Sequence, residues 1–414
     1  MKYPLPGTLR LFRAWEIKCW LECCLNIDPD AITGPPVAPP SNTGDKQCFQ
    51  LMKNWLRTCT TTHDCMLASE AWLPTRLIDV GGHAGPRLVH SADIENRGVP
   101  YATLSHRWTE HVVRLTTLNI HDFQRELPAG ALSRTFLDAF TVTQNLGMRY
   151  IWIDSLCILQ DSVHDWEVES AQMWHIYENG LCNFAGSAAS GGRQYDGLFR
   201  DREPLWGVNS QVKLPDQVSG KEFVASVDLR HRWDINVGNH PLNRRGWVFQ
   251  ERFLSPRTIY FGSSEIFWEC QTCFESESVP LSDSPQRSRS IQEGNLPDRF
   301  KRSRWHAFIH GATFRDLQRL SCAYVTCALT RESDRLVALA GIAKALSGSG
   351  EESGGFSTKP SSRSNTAKNK TKKTYLAGLW EEDLPWNLWW SITFADGGFC
   401  TKPSEYRGGF MFSS

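Results

Sequence analysis

The stretch that most constrains this chain is residues 150–177, YIWIDSLCILQDSVHDWEVESAQMWHIY, where one hydrophobic period gives way to another. Tyr150, Ile151, Trp152 and Ile153 form a short β-branched and aromatic run that stops at Asp154, as a buried strand does. From Asp165 the spacing turns helical, with Asp165 as the expected N-cap and Glu167 in the first turn, where the helix dipole favours negative charge. At about 100° per residue, Trp166, Met173, Ile176 and Tyr177 share one inward stripe. Glu169 projects inside that stripe, whereas Glu167, Glu178 and His175 project roughly opposite, towards solvent. A carboxylate on an apolar face needs a partner or a raised pKa. Glu169 therefore reads either as a functional acid or as a structural one paired with an arginine, because both settings perturb a carboxyl.

The flanking sequence extends this unit. Residues 99–105 (VPYATLS) read as another strand, ending in the polar group Ser105, His106, Arg107 and Trp108. A helix is expected from Ser133, whose hydroxyl would cap it, with Phe136, Leu137 and Phe140 at helical spacing and Gly147 near its end. Residues 181–185 (LCNFA) read as a further strand. The order strand, helix, strand, helix, strand predicts an α/β layer with a central, mostly parallel sheet. Ligands bind beyond the carboxyl ends of such strands, and Ser105 to Trp108 and Asp154 to Gln160 occupy positions of that kind.

Upstream, CFQLMKNWL suggests a short amphipathic helix carrying Phe49, Leu51, Met52 and Leu56, and LPTRLIDVGG a strand with a Gly-Gly turn. Downstream, 186–240 read as loops with a small β region. Residues 241–270 read as a basic turn, a short helix and a hairpin around Gly262, Ser263 and Ser264. Residues 1–45 are irregular, with a Pro/Gly cluster at 34–44, and 276–304 are polar and expected to be mobile. A helix over 306–345, with a break near Thr330, precedes a low-complexity, disordered insertion at 347–373.

Lys+Arg and Asp+Glu both total 45, so no general nucleic-acid or membrane-surface binding is expected. No apolar run approaches the roughly 18–20 residues that span a bilayer, and the N-terminus lacks the apolar core of a signal peptide. Thirteen irregularly spaced cysteines favour free thiols in the reducing cytosol over a disulfide framework. Cys59, His63 and Cys65 have ligand-type side chains, but C-x3-H-x-C lacks paired C-x2-C half-sites and no fourth ligand is evident. Free thiols in a packed segment are the expectation, and no metal.

Among nucleophiles, Cys157 has His106 and His164 available, but a cysteine after an apolar strand usually packs. Arg244, Arg245, Gln250, Glu251 and Arg252 form a dense charged cluster. On a short helix Arg245 and Arg252 share one side, and Glu251 could pair with one of them, either fixing this helix to the α/β layer or binding a ligand. GGHAG at 81–85 is a plain turn, with no Walker or G-x-G-x-x-G loop, which disfavours phosphoryl transfer and dehydrogenase chemistry.

Three blocks together resemble the fungal heterokaryon-incompatibility (HET) domain. The first, YATLSHRW (101–108), is similar to the family's Y-x-x-LSY-x-WG. The second is LGMRYIWIDSLCILQD followed by DW-x-x-E-x-x-x-M-x-x-IY, holding Trp152, Cys157, Gln160 and Trp166. The third is RRGWVFQERFLSPRTIYFGSSEIFWEC, holding Arg245, Gly246, Trp247, Gln250, Glu251 and Arg252. Three positions depart from the family's pattern: His106 stands for its Tyr, Thr109 for its Gly, and Leu159 for its Asp. The C-terminal KPSEYRGGFMFSS begins like the family's R-P-x-x-YRAPSWSW and then diverges, as a truncated or mis-spliced end would. The resemblance divides the chain into an N-terminal flanking region 1–98, a HET domain 99–270, a helical region 271–346, the insertion 347–373 and a Trp-rich segment 374–414.

What the resemblance implies is a cytoplasmic protein of fungal self/non-self recognition, a signalling or effector module associated with programmed cell death. It would need no cofactor and would act through a protein partner or self-association. HET domains are likened to Toll/interleukin-receptor-type (TIR) domains, so a TIR/flavodoxin-like layer, elaborated by an extra β hairpin and helical regions, is the implied fold. Some TIR relatives hydrolyse NAD with a Glu on a helix after a central strand, and Glu169 best matches that acid. In this alternative NAD is the substrate. Glu169 would stabilise the oxocarbenium-like charge and Asp154 would orient it or contact the ribose. Ser105 and Arg107 would bind phosphate, with Trp108 at the same ligand-facing end.

Overall fold

The computed structural model describes residues 25–27, 40–63, 65, 72–82, 85–109, 111–187, 197–202, 211–215, 222–227, 233–277, 324, 327–329, 334–346, 375–376 and 379–380. The chain forms two compact units, 1–346 and 347–414. Of the second, a two-residue pair of strands, Tyr375–Leu376 and Leu379–Trp380, is described. The insertion at 347–373, most of the 276–304 segment expected to be mobile and most of the expected 306–345 helix lie outside the described residues, while Ser276 is buried in the strand Phe274–Ser276. The last turns of that helix form Arg335–Leu346.

In chain order the first unit contains β1 (Leu25–Ile27), α1 (Lys46–Thr62), β2 (Arg76–Asp79), β3 (Arg87–His90), β4 (Tyr101–Ser105), α2 (Ile120–Arg125) and α3 (Arg134–Asn145). There follow β5 (Tyr150–Trp152), the single turn α4 (Asp154–Cys157), α5 (Val163–Asn179), β6 (Cys182–Ala185), β7 (Gln211–Pro215) and β8 (Glu222–Val227). The last elements are α6 (Gly246–Leu254), β9 (Arg257–Phe261), β10 (Ile266–Cys270), β11 (Phe274–Ser276) and α7 (Arg335–Leu346). Eight strands form one sheet in the order β11-β10-β9-β6-β4-β5-β2-β3. Its four central strands, β5-β4-β6-β9, are parallel, and an antiparallel pair closes each side. Every residue of β4, β5, β6, β9 and β10 is buried, which explains their near-continuous apolar runs. The small β region expected within 186–240 is β7 and β8, which pair with β1 in a separate sheet.

The crossovers β4→β5 and β5→β6 run in opposite directions along the sheet, so right-handed connections put α3 and α5 on opposite faces. Accordingly, Tyr101 donates its hydroxyl to the Ile176 carbonyl of α5 at 2.7 Å, while the His106 ring packs edge-on against Phe136 of α3. Ser133 caps α3 by accepting from the Phe136 N–H, and Gly147 ends the turn beyond it at φ +81°, a conformation that favours glycine.

Helix α5 buries Met173, Ile176, Tyr177 and Glu169, as its periodicity predicts. Two expectations for it are corrected. Its N-cap is Ser162, which accepts from the Asp165 N–H, because the Asp165 carboxylate is engaged elsewhere. His175 is half-buried instead of facing solvent, because Trp72 and Trp174 stack on it, with centroids at 4.3 and 4.6 Å.

The Asp165 carboxylate holds Arg76 of β2, together with the Cys157 carbonyl at 2.8 Å and Glu169 at 3.9 Å. Arg76 is only 4% exposed. Removing one member of such a buried set leaves the others uncompensated. Arg76→Ala should therefore destabilise the first unit by about 3–5 kcal/mol, read as a lower urea midpoint. An unchanged midpoint would mean that water takes over the role of Arg76.

Candidate functional site

Strands β4, β5 and β6 are parallel, so the residues that leave their carboxyl ends gather on one side of the sheet. Ser105 closes β4; its buried hydroxyl donates to Asn183 Oδ1 at 3.3 Å and accepts from Asn183 Nδ2 at 3.0 Å. Thr103 donates to the same Oδ1 at 2.9 Å. Beyond β5, Asp154 opens α4 and accepts the Ser155 N–H at 2.7 Å and the Trp108 indole N–H at 2.8 Å. The Asp154 side chain stays 23% exposed, with His106 Nδ1 at 3.7 Å from its Oδ1. Gln160 donates to the Asp154 and Ile158 carbonyls at 3.1 and 3.0 Å and so fixes the turn behind it. From the start of α6, Arg245 reaches across to donate to the His106 carbonyl at 2.9 Å.

Glu251, in the second turn of α6, enters the same cluster. Burial, then the nearby charge of Asp154, push its carboxyl up to about 7, against the hydroxyls of Ser105 and Tyr177 and the Arg245 guanidinium. Its Oε2 is buried with no hydrogen-bond partner, as is His106 Nε2. Burial holds the His106 imidazole below its ordinary range; Asp154 opposes that and Arg245 adds to it. A carboxyl raised to about 7 and an imidazole held below its ordinary range thus lie close to the partly exposed Asp154 side chain. Glu251 can give and take a proton near neutral pH.

Residues 101–251 match the family model for heterokaryon incompatibility protein (HET). This segment is a HET domain. No curated protein and no solved structure matches the chain. The match opens on the first residue of β4 and closes on Glu251, so Ser105, His106, Trp108, Asp154, Asn183, Arg245 and Glu251 all fall inside it. The HET signature blocks, far apart in sequence, meet at the carboxyl ends of the parallel strands.

The remaining residues singled out in the sequence are placed elsewhere. Glu169 is buried beneath α5 against Arg76; burial raises its pKa, opposed by Thr75 and Arg76. Arg107 has an exposed side chain. Cys157 is fully buried and burial pushes its thiol up to about 12, which leaves it a packing residue with no standing thiolate. Trp152 packs edge-on against Tyr177, and Trp166 lies partly buried against the same core.

In the third block, Glu251 feels the charge of Arg245, one of the two partners suggested for it. Arg252 instead forms a two-pronged bond to Glu269 of β10, at 3.1 and 3.0 Å, and lies over the Trp233 ring. Gly246, Trp247 and Gln250 face residues between 329 and 338. A Cβ on Gly246 would strike Leu329, Trp247 donates to Asp334 at 3.3 Å, and the Gln250 amide reaches the Ala338 carbonyl of α7 at 2.9 Å. Asn183 and Tyr177 were not singled out for function; the signal for Asn183 is a polar residue inside the apolar run LCNFA.

The Glu251 carboxyl gives a test with a defined sign. Its folded pKa of about 7 lies above the unfolded value near 4.5, so the folded state binds the extra proton between those values. Stability therefore falls as pH rises through that window, by about 3 kcal/mol in total. Glu251→Gln cannot ionise, and contributions shared with wild type, including that of His106, cancel in the comparison. The variant should gain stability over wild type between pH 5 and pH 8 in paired denaturant titrations. A difference that does not change with pH would show that Glu251 is not held protonated.

Proposed function

We propose that the chain is an effector of fungal self/non-self recognition, a HET domain that triggers programmed cell death on engaging a protein partner or a second copy. The HET match over 101–251 carries this reading. Two exposed aliphatic side chains support a protein partner: Leu118 is 91% and Val163 75% exposed. They flank a clamp in which the Asp161 carboxylate accepts the Thr117 N–H at 2.9 Å and its hydroxyl at 2.6 Å, on the loops beside α4. Single exposed apolar residues are ordinary, but two presented on mutually fixed loops make a preformed contact point. The parallel strands, taken in chain order, lie 2-1-3-4 across the sheet, which supports kinship with flavodoxin-like layers, TIR domains among them. No helix among the described residues is long and apolar enough to cross a membrane, and the eight described cysteines are all free, which supports a cytoplasmic setting.

No observation favours the NAD-cleaving alternative, because the acid it relies on is engaged by Arg76. Nicotinamide release by the wild-type protein, lost in a folded Glu169→Ala variant, would reverse that judgement.

Overexpression in a fungal host is expected to kill, and Leu118→Asp with Val163→Asp should abolish killing and any self-association at an unchanged unfolding midpoint. A harmless wild type would sink the effector reading. Full killing by the double variant would remove these loops from it.

A further inference from the structure

Helix α1 carries Cys59 one turn before His63, on the same side of the helix. The helix stops at Thr62, and the extended backbone at His63 brings Cys65 back towards that side. Cys270, the last residue of β10, arrives from the sheet. One donor atom from each of these four side chains lies within 4.8 Å of the other three, and Cys270 Sγ stands 3.5 Å from His63 Nδ1. Four sulfur and nitrogen donors around one tetrahedral zinc ion stand about 3.3–3.8 Å apart, so only a small contraction separates this cluster from a coordination sphere. All three cysteines are buried and none forms a disulfide.

A second observation concerns charge. Arg257, at the start of β9, is 1% exposed and forms no ion pair with a carboxylate among the described residues. Its Nε donates to Cys59 Sγ at 3.2 Å, and its Nη2 is buried with no partner. An unmatched buried guanidinium is costly. A divalent ion held by three thiolates and one imidazole carries one net negative charge, which Arg257 would neutralise. The Cys273 N–H also donates to Cys270 Sγ at 3.3 Å, the kind of outer bond that steadies a metal-bound thiolate.

We propose that Cys59, His63, Cys65 and Cys270 bind one zinc ion in a closed structural site that fastens the end of α1 to the end of β10. Four protein ligands leave no open position for substrate, so the site holds the fold and performs no chemistry. The reading C-x3-H-x-C without a fourth ligand is thereby completed from 207 residues further along the chain.

The test uses the full chain, expressed with zinc and purified under reducing conditions, with metal measured by plasma mass spectrometry. About one zinc per chain is expected. Cys59→Ser and Cys270→Ser should lose it, while Cys48→Ser, on the same helix but outside the cluster, and Cys273→Ser should keep it. Cobalt exchanged into the wild-type protein should give the intense visible bands and sulfur-to-metal charge transfer of a tetrahedral thiolate site, a readout that survives if the serine variants fail to fold. A folded wild type that holds no zinc after equilibration with it, or cobalt bound without charge transfer, would overturn the proposal. Loss of zinc from Cys273→Ser would overturn this ligand set.

Discussion

A single guanidinium holds three separate pieces of this fold in register. Arg76 begins β2, the strand next to the edge, yet its partners come from the turn after β5 and from the first two turns of α5. A buried cation of this kind tolerates few alternative arrangements, because any shift of α5 would strand a charge in a medium that solvates it poorly. With α5 so fixed, Tyr177 faces the Leu104 carbonyl and the carboxyl end of β4. The polar cluster of the HET domain inherits its geometry from that contact.

Glu169 and Glu251 are both buried and burial raises the pKa of both, but what faces them differs. Glu169 has the Arg76 guanidinium within ion-pair distance, at 3.9 Å. Glu251 has no cation within ion-pair distance among the described residues, and burial, with the charge of Asp154, pushes its carboxyl up to about 7. An inward-facing acid is thus two different objects, and only the surroundings, which come from distant parts of the chain, tell them apart. Of the two, Glu251 lies with the ends of the parallel strands.

Much of the sheet was legible from local pattern. The runs at 101–105, 150–152 and 182–185 are strands because both faces are covered, and the hairpin around Gly262 forms where its turn residues place it. The inward stripe of α5 followed from its period. What failed depended on partners that local pattern cannot carry. Asp165 has the chemistry of an N-cap, but Arg76 claims its carboxylate and Ser162 takes its place. His175 lies on the polar side of its helix, but Trp72 arrives from an earlier segment to cover it. Arg252 finds its carboxylate on β10, beyond the helix on which Glu251 was its nearest candidate. Cys270 and Cys273 form a C-x2-C pair that could have been joined to the upstream cysteines, had the sheet order been known.

The strands that lie outside the family match cover exposed hydrogen-bonding edges. Residues 101–251 contain β4, β5 and β6 but neither β2, which lies along β5, nor β9, which lies along β6. A segment excised at the limits of the family match would present two rows of unpaired backbone groups on apolar strands, the kind of edge that recruits other chains into continuous sheets. The family match is therefore shorter than the sheet it belongs to. The flanking sequence supplies the strands that pair its two open edges.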